Sequence, residues 1–354
     1  MRRRDLVLHA VACNLSPPSR WTVFKDSFLA PDGRLVDPEN EHVTHSEGQS
    51  WGMLLAVMNN DEVTFNRIKS WTNTHLAIRG DRLLAWRFRT LPTRGVDDIN
   101  AATDADLCHA WALLLASRRW PDRGFQAEAR QVAFDVLRLC VRQTYDRTLL
   151  LPGPQGFLNP DHVVINPSYY VFPALDALRE AFPHPAWAAV IGHGELLLEQ
   201  ARFGRWNLPP DWLALRSPGL RPEPQRGRGD RFGYDALRIP LYLAWSGRWH
   251  SGPVAAARAF WDATSQPALP GWVRLSDDAL APYAAGPGVV AIHRLVGRGA
   301  GTTSDLPLPA PPGRSYYQQA LMLLAEVAMR EAPPPPRPPS LSVAQRAFPV
   351  RQNP

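Results

Sequence analysis

Three apolar stretches with helical spacing begin beside carboxylates. Glu47 lies in Thr44-His45-Ser46-Glu47-Gly48-Gln49-Ser50-Trp51-Gly52-Met53. Asp104 and Asp106 lie in Ala102-Thr103-Asp104-Ala105-Asp106. Asp235 lies in Phe232-Gly233-Tyr234-Asp235-Ala236-Leu237-Arg238. Any one of them is explained by the helix dipole, which favours an acid in the first turn. Three such helices with aromatic neighbours imply more if their starts gather at one end of a helical assembly. The carboxylates would then converge in a cleft lined by Trp and Tyr. An acid to protonate a leaving oxygen and a base to activate water are what glycoside hydrolysis needs. Aromatic rings suit the apolar faces of sugars.

The elements that must position these acids follow from the pattern. Ser46 and Gln49 have capping-box spacing, with Ser46 as N-cap and Gln49 at N3. Trp51, Leu54, Leu55 and Met58 continue a helical stripe to about Asn59. Thr103 and Asp106 have the same spacing and open a helix through Trp111, Leu114 and Leu115. Further helices are expected over 21–28, after Asp61 as cap (Val63, Phe65, Ile68, Trp71), and over 125–144 and 186–203. Others follow over 235–245, 253–264 and 315–331. Asn166-Pro167 opens a segment to Phe182 that Pro173 should break. Residues 82–88 read as a strand or extended loop, and 216–230, rich in Pro, Gly and Arg, as an exposed loop. Strand signals are few and no fixed-period repeat is present. The class is all-α, either a helical toroid or an irregular solenoid.

Composition narrows the chemistry. The 354 residues are 45% apolar and 20% charged, which fits a packed globular chain. The net charge is +6, but the Arg residues are scattered and only Lys25 and Lys69 are lysines, so no nucleic-acid footprint is formed. Cys13, Cys108 and Cys140 contain no CxxC pair, which argues against a disulfide scaffold or zinc site. His42 and His45 are spaced as ligands without a third partner, so no metal is expected. No apolar run is long enough to span a bilayer. Residues 1–18, with Met1-Arg2-Arg3-Arg4 and an apolar run from Leu6 to Cys13, resemble a truncated or degenerate signal segment. Residues 333–354 form a Pro-rich tail, expected to be disordered or polyproline II.

The acid-bearing segments resemble glycoside hydrolase family 8, in particular bacterial endoglucanases associated with cellulose synthesis. Ser46 to Met53 matches the family's Ser-Glu-Gly-Gln-x-x-Gly-Met segment. Ala102 to Asp106 matches its Ala-(Ser/Thr)-Asp-(Ala/Gly)-Asp signature, continued through Ala110, Ala112, Leu113 and Ala116 to Trp120. Ile165 to Tyr169 and Phe232 to Pro240 match further family segments in order. His109 departs from the pattern, which prefers Ile or Met, and could alter packing near the site.

The resemblance implies an (α/α)6 barrel over residues 19–332 and hydrolysis with inversion, a mechanism that needs no cofactor. Glu47 would be the general acid, Asp235 the general base, and Asp104 would hold and distort the sugar at the scissile position. Arg238 would orient the carboxylates. Trp86, Tyr169 and Tyr234 would contact the glucan, with Tyr316 and Tyr317 as further candidates and Asp106 in a supporting place. The implied partner is a β-1,4-glucan, cellulose or nascent chains beside the cellulose synthase machinery, met in the periplasm or after secretion. Chitosan, lichenan or xylan as substrate, or a catalytically weak glucan-binding role, are the rival readings. Such a mechanism asks that Glu47 keep its proton, against the helix dipole. It also asks for carboxyl groups about 6.5–9.5 Å apart, leaving room for water.

Overall fold

Helices that are apolar on every side must be buried on every side. Helix α2 (Ser46–Met58) is of this kind, since only Glu47 and Met58 reach beyond the buried set. The computed structural model describes residues 19–335 except 91–92, 122, 145, 217–221, 266 and 302–314. The basic N-terminal segment, Cys13 and the tail beyond residue 335 lie outside the described residues.

The other helices are α1 (Arg20–Phe28), α3 (Glu62–His75), α4 (Thr103–Arg119), α5 (Phe125–Cys140), α6 (Phe172–Ala181) and α7 (Pro185–Gln200). They continue with α8 (Arg238–Trp245), α9 (Gly252–Thr264), α10 (Pro287–Arg298) and α11 (Tyr316–Glu331). Helix α2 packs on α4, α4 on α6, α6 on α8, α8 on α11, and α11 returns to α2. Outside this ring α3, α5, α7 and α9 lie against α2, α4, α6 and α8 in turn. The architecture is an (α/α)6 barrel. The inner helices carry the burial: α4 is buried continuously from Thr103 to Leu114, and α8 along its whole length. The outer α5 is one-sided, burying Phe125, Ala129, Val132, Ala133, Val136, Leu137 and Cys140. Among the described residues no helix is long and apolar enough to cross a membrane.

Short antiparallel ladders decorate the helix ends. They are β1 (Thr44–His45) with β2 (Arg87–Phe88), and β3 (Val141–Thr144) with β4 (Arg147–Leu150). A three-stranded sheet joins β5 (His162–Ile165), β6 (Leu213–Arg216) and β7 (Glu223–Pro224), and β8 (Arg231–Phe232) pairs with β9 (Val273–Arg274). These pairings correct several expectations. The helix expected over 125–144 stops at Cys140 and turns into β3. The helix expected over 186–203 ends at Gln200. Residues 223–224 of the expected loop add to a sheet. The segment from Asn166 does break ahead of Pro173, between a 3-10 turn over Pro167–Tyr169 and α6, and Pro240 lies within α8 as expected. Both prolines sit in a first turn, where no N–H is needed. Helix α10 was not anticipated, because its short apolar run is flanked by glycines that read as turns.

Neither capping box forms. The N-caps are His45 and Ala102, without side-chain caps. Burial has redirected the polar groups into long-range bonds. Thr103 Oγ1 donates to Leu151 O at 2.7 Å. Gln49 is fully buried; its Oε1 accepts from Leu35 N–H at 2.6 Å and its Nε2 donates to Thr72 Oγ1 at 2.9 Å. Gln49 therefore ties α2 to α3 and to the preceding loop. Gln49→Leu should cost about 1–3 kcal/mol by stranding the Leu35 N–H in an apolar setting. The check is urea denaturation, and an unchanged midpoint would remove this role.

Candidate active site

Three elements deliver acids to one rim of the barrel. Glu47 is the second residue of α2 and Asp104 the second residue of α4. Asp235 lies in the turn before α8, not in the helix as expected, because α8 starts at Arg238. None of the three helices has a side-chain N-cap. Their heads are left to the carboxylates and to whatever enters the cleft.

Arg238 gathers the acids. Its guanidinium is almost fully buried. Nη1 donates to Glu47 Oε1 and, at 2.8 Å, to Asp104 Oδ2, while Nη2 donates to Asp235 Oδ1 at 2.6 Å. One guanidinium thus bridges Glu47, through Nη1, and Asp235, through Nη2. One cation facing three acids leaves negative charge in excess. Burial accordingly holds the Asp104 carboxyl well above the usual carboxylate range, and the charge of Asp235 adds to the effect. Burial also pushes Asp235 up to about 6, against the hydrogen bond it accepts from the Trp212 indole.

Above this floor opens a cleft of about 270 Å³, lined by Asn40, His45, Ser46, Glu47, Trp86, Ala102, Asp104, Tyr169, Tyr234, Asp235 and Arg238. Trp86 is placed there by strand pairing, since the Ser46 N–H donates to Trp86 O at 2.9 Å beside the β1–β2 ladder. Its ring stacks on His45 with centroids 5.9 Å apart, and its indole N–H donates to Asp98 at 2.8 Å. Burial, with Arg87 and Arg89 nearby, lowers His45 to about 4, so the imidazole is neutral. Among the described residues no group of three or more His, Cys, Asp or Glu is arranged to hold a metal ion. Tyr169 packs against Trp212 with centroids 6.1 Å apart. Tyr234 is 59% exposed, the most open aromatic of the cleft lining, and is backed by Tyr317 at 3.9 Å between centroids.

Not every expected residue is brought to the cleft. Tyr317 serves Tyr234 from behind, donating its hydroxyl to Tyr234 O. Tyr316 is core: it packs on Phe24 and Phe28 and lies so close to Gly48 that any β-carbon there would collide with its hydroxyl. Asp106 accepts from Leu84 N–H at 2.8 Å and is closed off from the cleft lining. His109 points elsewhere too. It lines a separate cavity of about 530 Å³ with Asn73, Asp81 and Glu128, so its departure from the pattern falls outside the acid cluster. Two residues escaped the sequence reading. Trp212 donates its indole N–H to Asp235 Oδ2 at 2.9 Å, and Asp211 accepts three N–H groups from residues 233–236. The Pro209-Pro210-Asp211-Trp212 stretch reads as a turn, and nothing local links it to Asp235.

Comparison with known proteins places the chain among glycosyl hydrolases. The model of glycosyl hydrolases family 8 matches residues 6–331. The chain is 37% identical over 313 residues to a probable endoglucanase of Novacetimonas hansenii, covering 88% of this chain and 90% of that protein. It is 36% identical over 275 residues to an endoglucanase of Cellulomonas uda, covering 78% and 76%. Among solved structures, the endo-β-1,4-glucanase CMCax from Acetobacter xylinum superposes with a TM-score of 0.82 at 37% identity, covering 88% of this chain and 97% of that one.

Proposed function

Because this chain belongs to glycosyl hydrolase family 8 and is a glycoside hydrolase, we propose that it is an endo-acting β-1,4-glucanase that inverts the anomeric carbon. The observation that carries the reading is the single buried guanidinium holding three carboxylates from three elements beneath an aromatic-lined cleft. Glu47 gives its proton to the glycosidic oxygen as the bond to the anomeric carbon breaks. Asp235 takes a proton from a water that attacks the same carbon from the opposite face. Asp104 holds the sugar hydroxyls beside the scissile bond; a carboxyl that keeps its proton near neutrality can donate to a hydroxyl as well as accept from one. Trp86, Tyr169 and Tyr234 provide flat apolar surface for glucosyl rings. The relatives' printed activities support β-1,4-glucan as the substrate class.

Two measurements test this. Proton NMR of cello-oligosaccharide hydrolysis should show the α-anomer first, and β-anomer appearing first would overturn inversion. Reducing-sugar release should be highest on carboxymethyl cellulose among that polymer, lichenan, xylan and chitosan. Activity on chitosan with none on the β-glucans would overturn the substrate. Glucan binding without turnover in wild type, Glu47→Gln and Asp235→Asn alike would leave a binding protein. The same reading extends to trimming nascent glucan beside the bacterial cellulose synthase machinery, outside the cytoplasm. Cell fractionation that recovers the protein only from the cytosol would remove that part.

A further inference from the structure

Asp211 is buried, 8% exposed, just before β6. Its Oδ1 alone accepts the N–H groups of Gly233, Asp235 and Ala236, at 3.2, 3.0 and 2.8 Å. Its own N–H donates to Arg231 O at 2.8 Å, and the next residue, Trp212, holds the Asp235 carboxylate. This dipeptide therefore grips Asp235 by both backbone and side chain. Helix α8 has no side-chain cap of its own, so Asp211 collects the N–H groups of the turn that leads into it. A second carboxylate facing Asp235 is electrostatically unfavourable, and burial with the Asp235 charge pushes Asp211 up to about 7.

We propose that Asp211 is a positioning residue that fixes the turn 233–236 and so aims the Asp235 carboxylate at the attacking water. The proposal rests on Asp235 being the base. Asp211 is not part of the cleft lining and acts only through that turn. The charged and titratable groups that face Asp235 among the described residues include Arg238, Asp104, Arg228, Tyr169, Tyr234 and Tyr317, besides Asp211 itself.

The test compares full-length wild type, Asp235→Asn, Asp211→Ala and Asp211→Asn on cello-oligosaccharides across pH. Asp211→Ala should lower kcat by about 10²-fold, the scale of a misplaced reacting group, with KM little changed. Asp211→Asn keeps an acceptor oxygen and should recover most of that loss. In Asp211→Asn the acid limb of kcat should stay near its wild-type pH, because Asp211, pushed up to about 7, is already mostly protonated where Asp235 titrates. Equal losses in the Ala and Asn variants, or a change confined to KM, would overturn the role. If Asp211→Ala fails to fold, Asp211→Ser decides by the same split: a kcat loss at unchanged KM supports the role, and wild-type kcat or a change confined to KM overturns it. Turnover persisting in Asp235→Asn would bring down the base assignment and this proposal together. Inactive Asp235→Asn beside wild-type kcat in Asp211→Ala would bring down the proposal alone.

Discussion

Asp235→Asn is expected to leave kcat at least about 10³-fold below wild type, with KM little altered, since proton transfer by a positioned side chain commonly contributes 10²–10⁴-fold. Asn keeps the size of the side chain and one acceptor oxygen, enough for the Trp212 indole or for Arg238 Nη2 but not for both. Besides that one bond, it removes the ability to take a proton from water. Glu47→Gln should match this loss for the opposite reason, leaving the departing oxygen without a proton donor. The pH profile separates the two roles. Asp235 must be ionised to act, and burial sets its carboxyl to about 6. The wild-type rate should therefore fall as pH drops through about 6, by about tenfold per unit below it. Initial rates across pH 4.5–8 check this. An acid limb that survives unchanged in an active Asp235→Asn variant would remove Asp235 as the base.

Arg238→Met should abolish turnover and also cost about 3–5 kcal/mol of stability, the scale for stripping the partner from buried charge. The volume is roughly kept, so the loss is electrostatic. Without the guanidinium, Asp104 remains buried with Glu47 and Asp235 close by and no cation in contact. The pH dependence has a definite sign. The Asp104 and Asp235 carboxyls already stand above their ordinary values in the folded protein, and removing the cation raises them further. The extra destabilisation of the variant is then largest where these acids would be ionised and shrinks as pH falls and they take up protons. Urea midpoints of wild type and variant at pH 5 and pH 8 check it. A difference that is no larger at pH 8 would mean that Arg238 matters mainly through packing.

The Gln49 and Asp211 side chains show where sequence reading fails. Ser46 and Gln49 stand at capping-box spacing, yet Gln49 reaches Leu35 and Thr72 while Ser46 Oγ has no partner. A capping box competes well on an exposed helix. In a helix buried on all sides, unsatisfied groups elsewhere in the core bid for the same side chain, and the spacing cannot register them. Asp106 went the same way, to the Leu84 N–H. The strands at the helix ends are two to four residues long, too short to produce an alternation. Tyr316 and Tyr317 are adjacent residues at the head of α11. One supports Tyr234 and the other fills the core, a difference set by what faces each side of the helix.

Residue type, helical period and ordered short motifs are local properties, and they determined a great deal. The all-α class, the acids Glu47, Asp104 and Asp235, and Arg238 three residues beyond the last of them were legible in the chain itself. What only the tertiary structure decided is who meets whom. Arg238 bonds to Glu47 across 191 residues and to Asp104 across 134, and Trp212 reaches Asp235 across 23. Those encounters depend on the closure of the helical ring, which brings α2, α4 and the turn before α8 to one rim. No local spacing encodes that closure. It is also why Asp211 and Trp212, in a stretch that reads as a plain turn, came to light only once the barrel had placed them against the Asp235 turn.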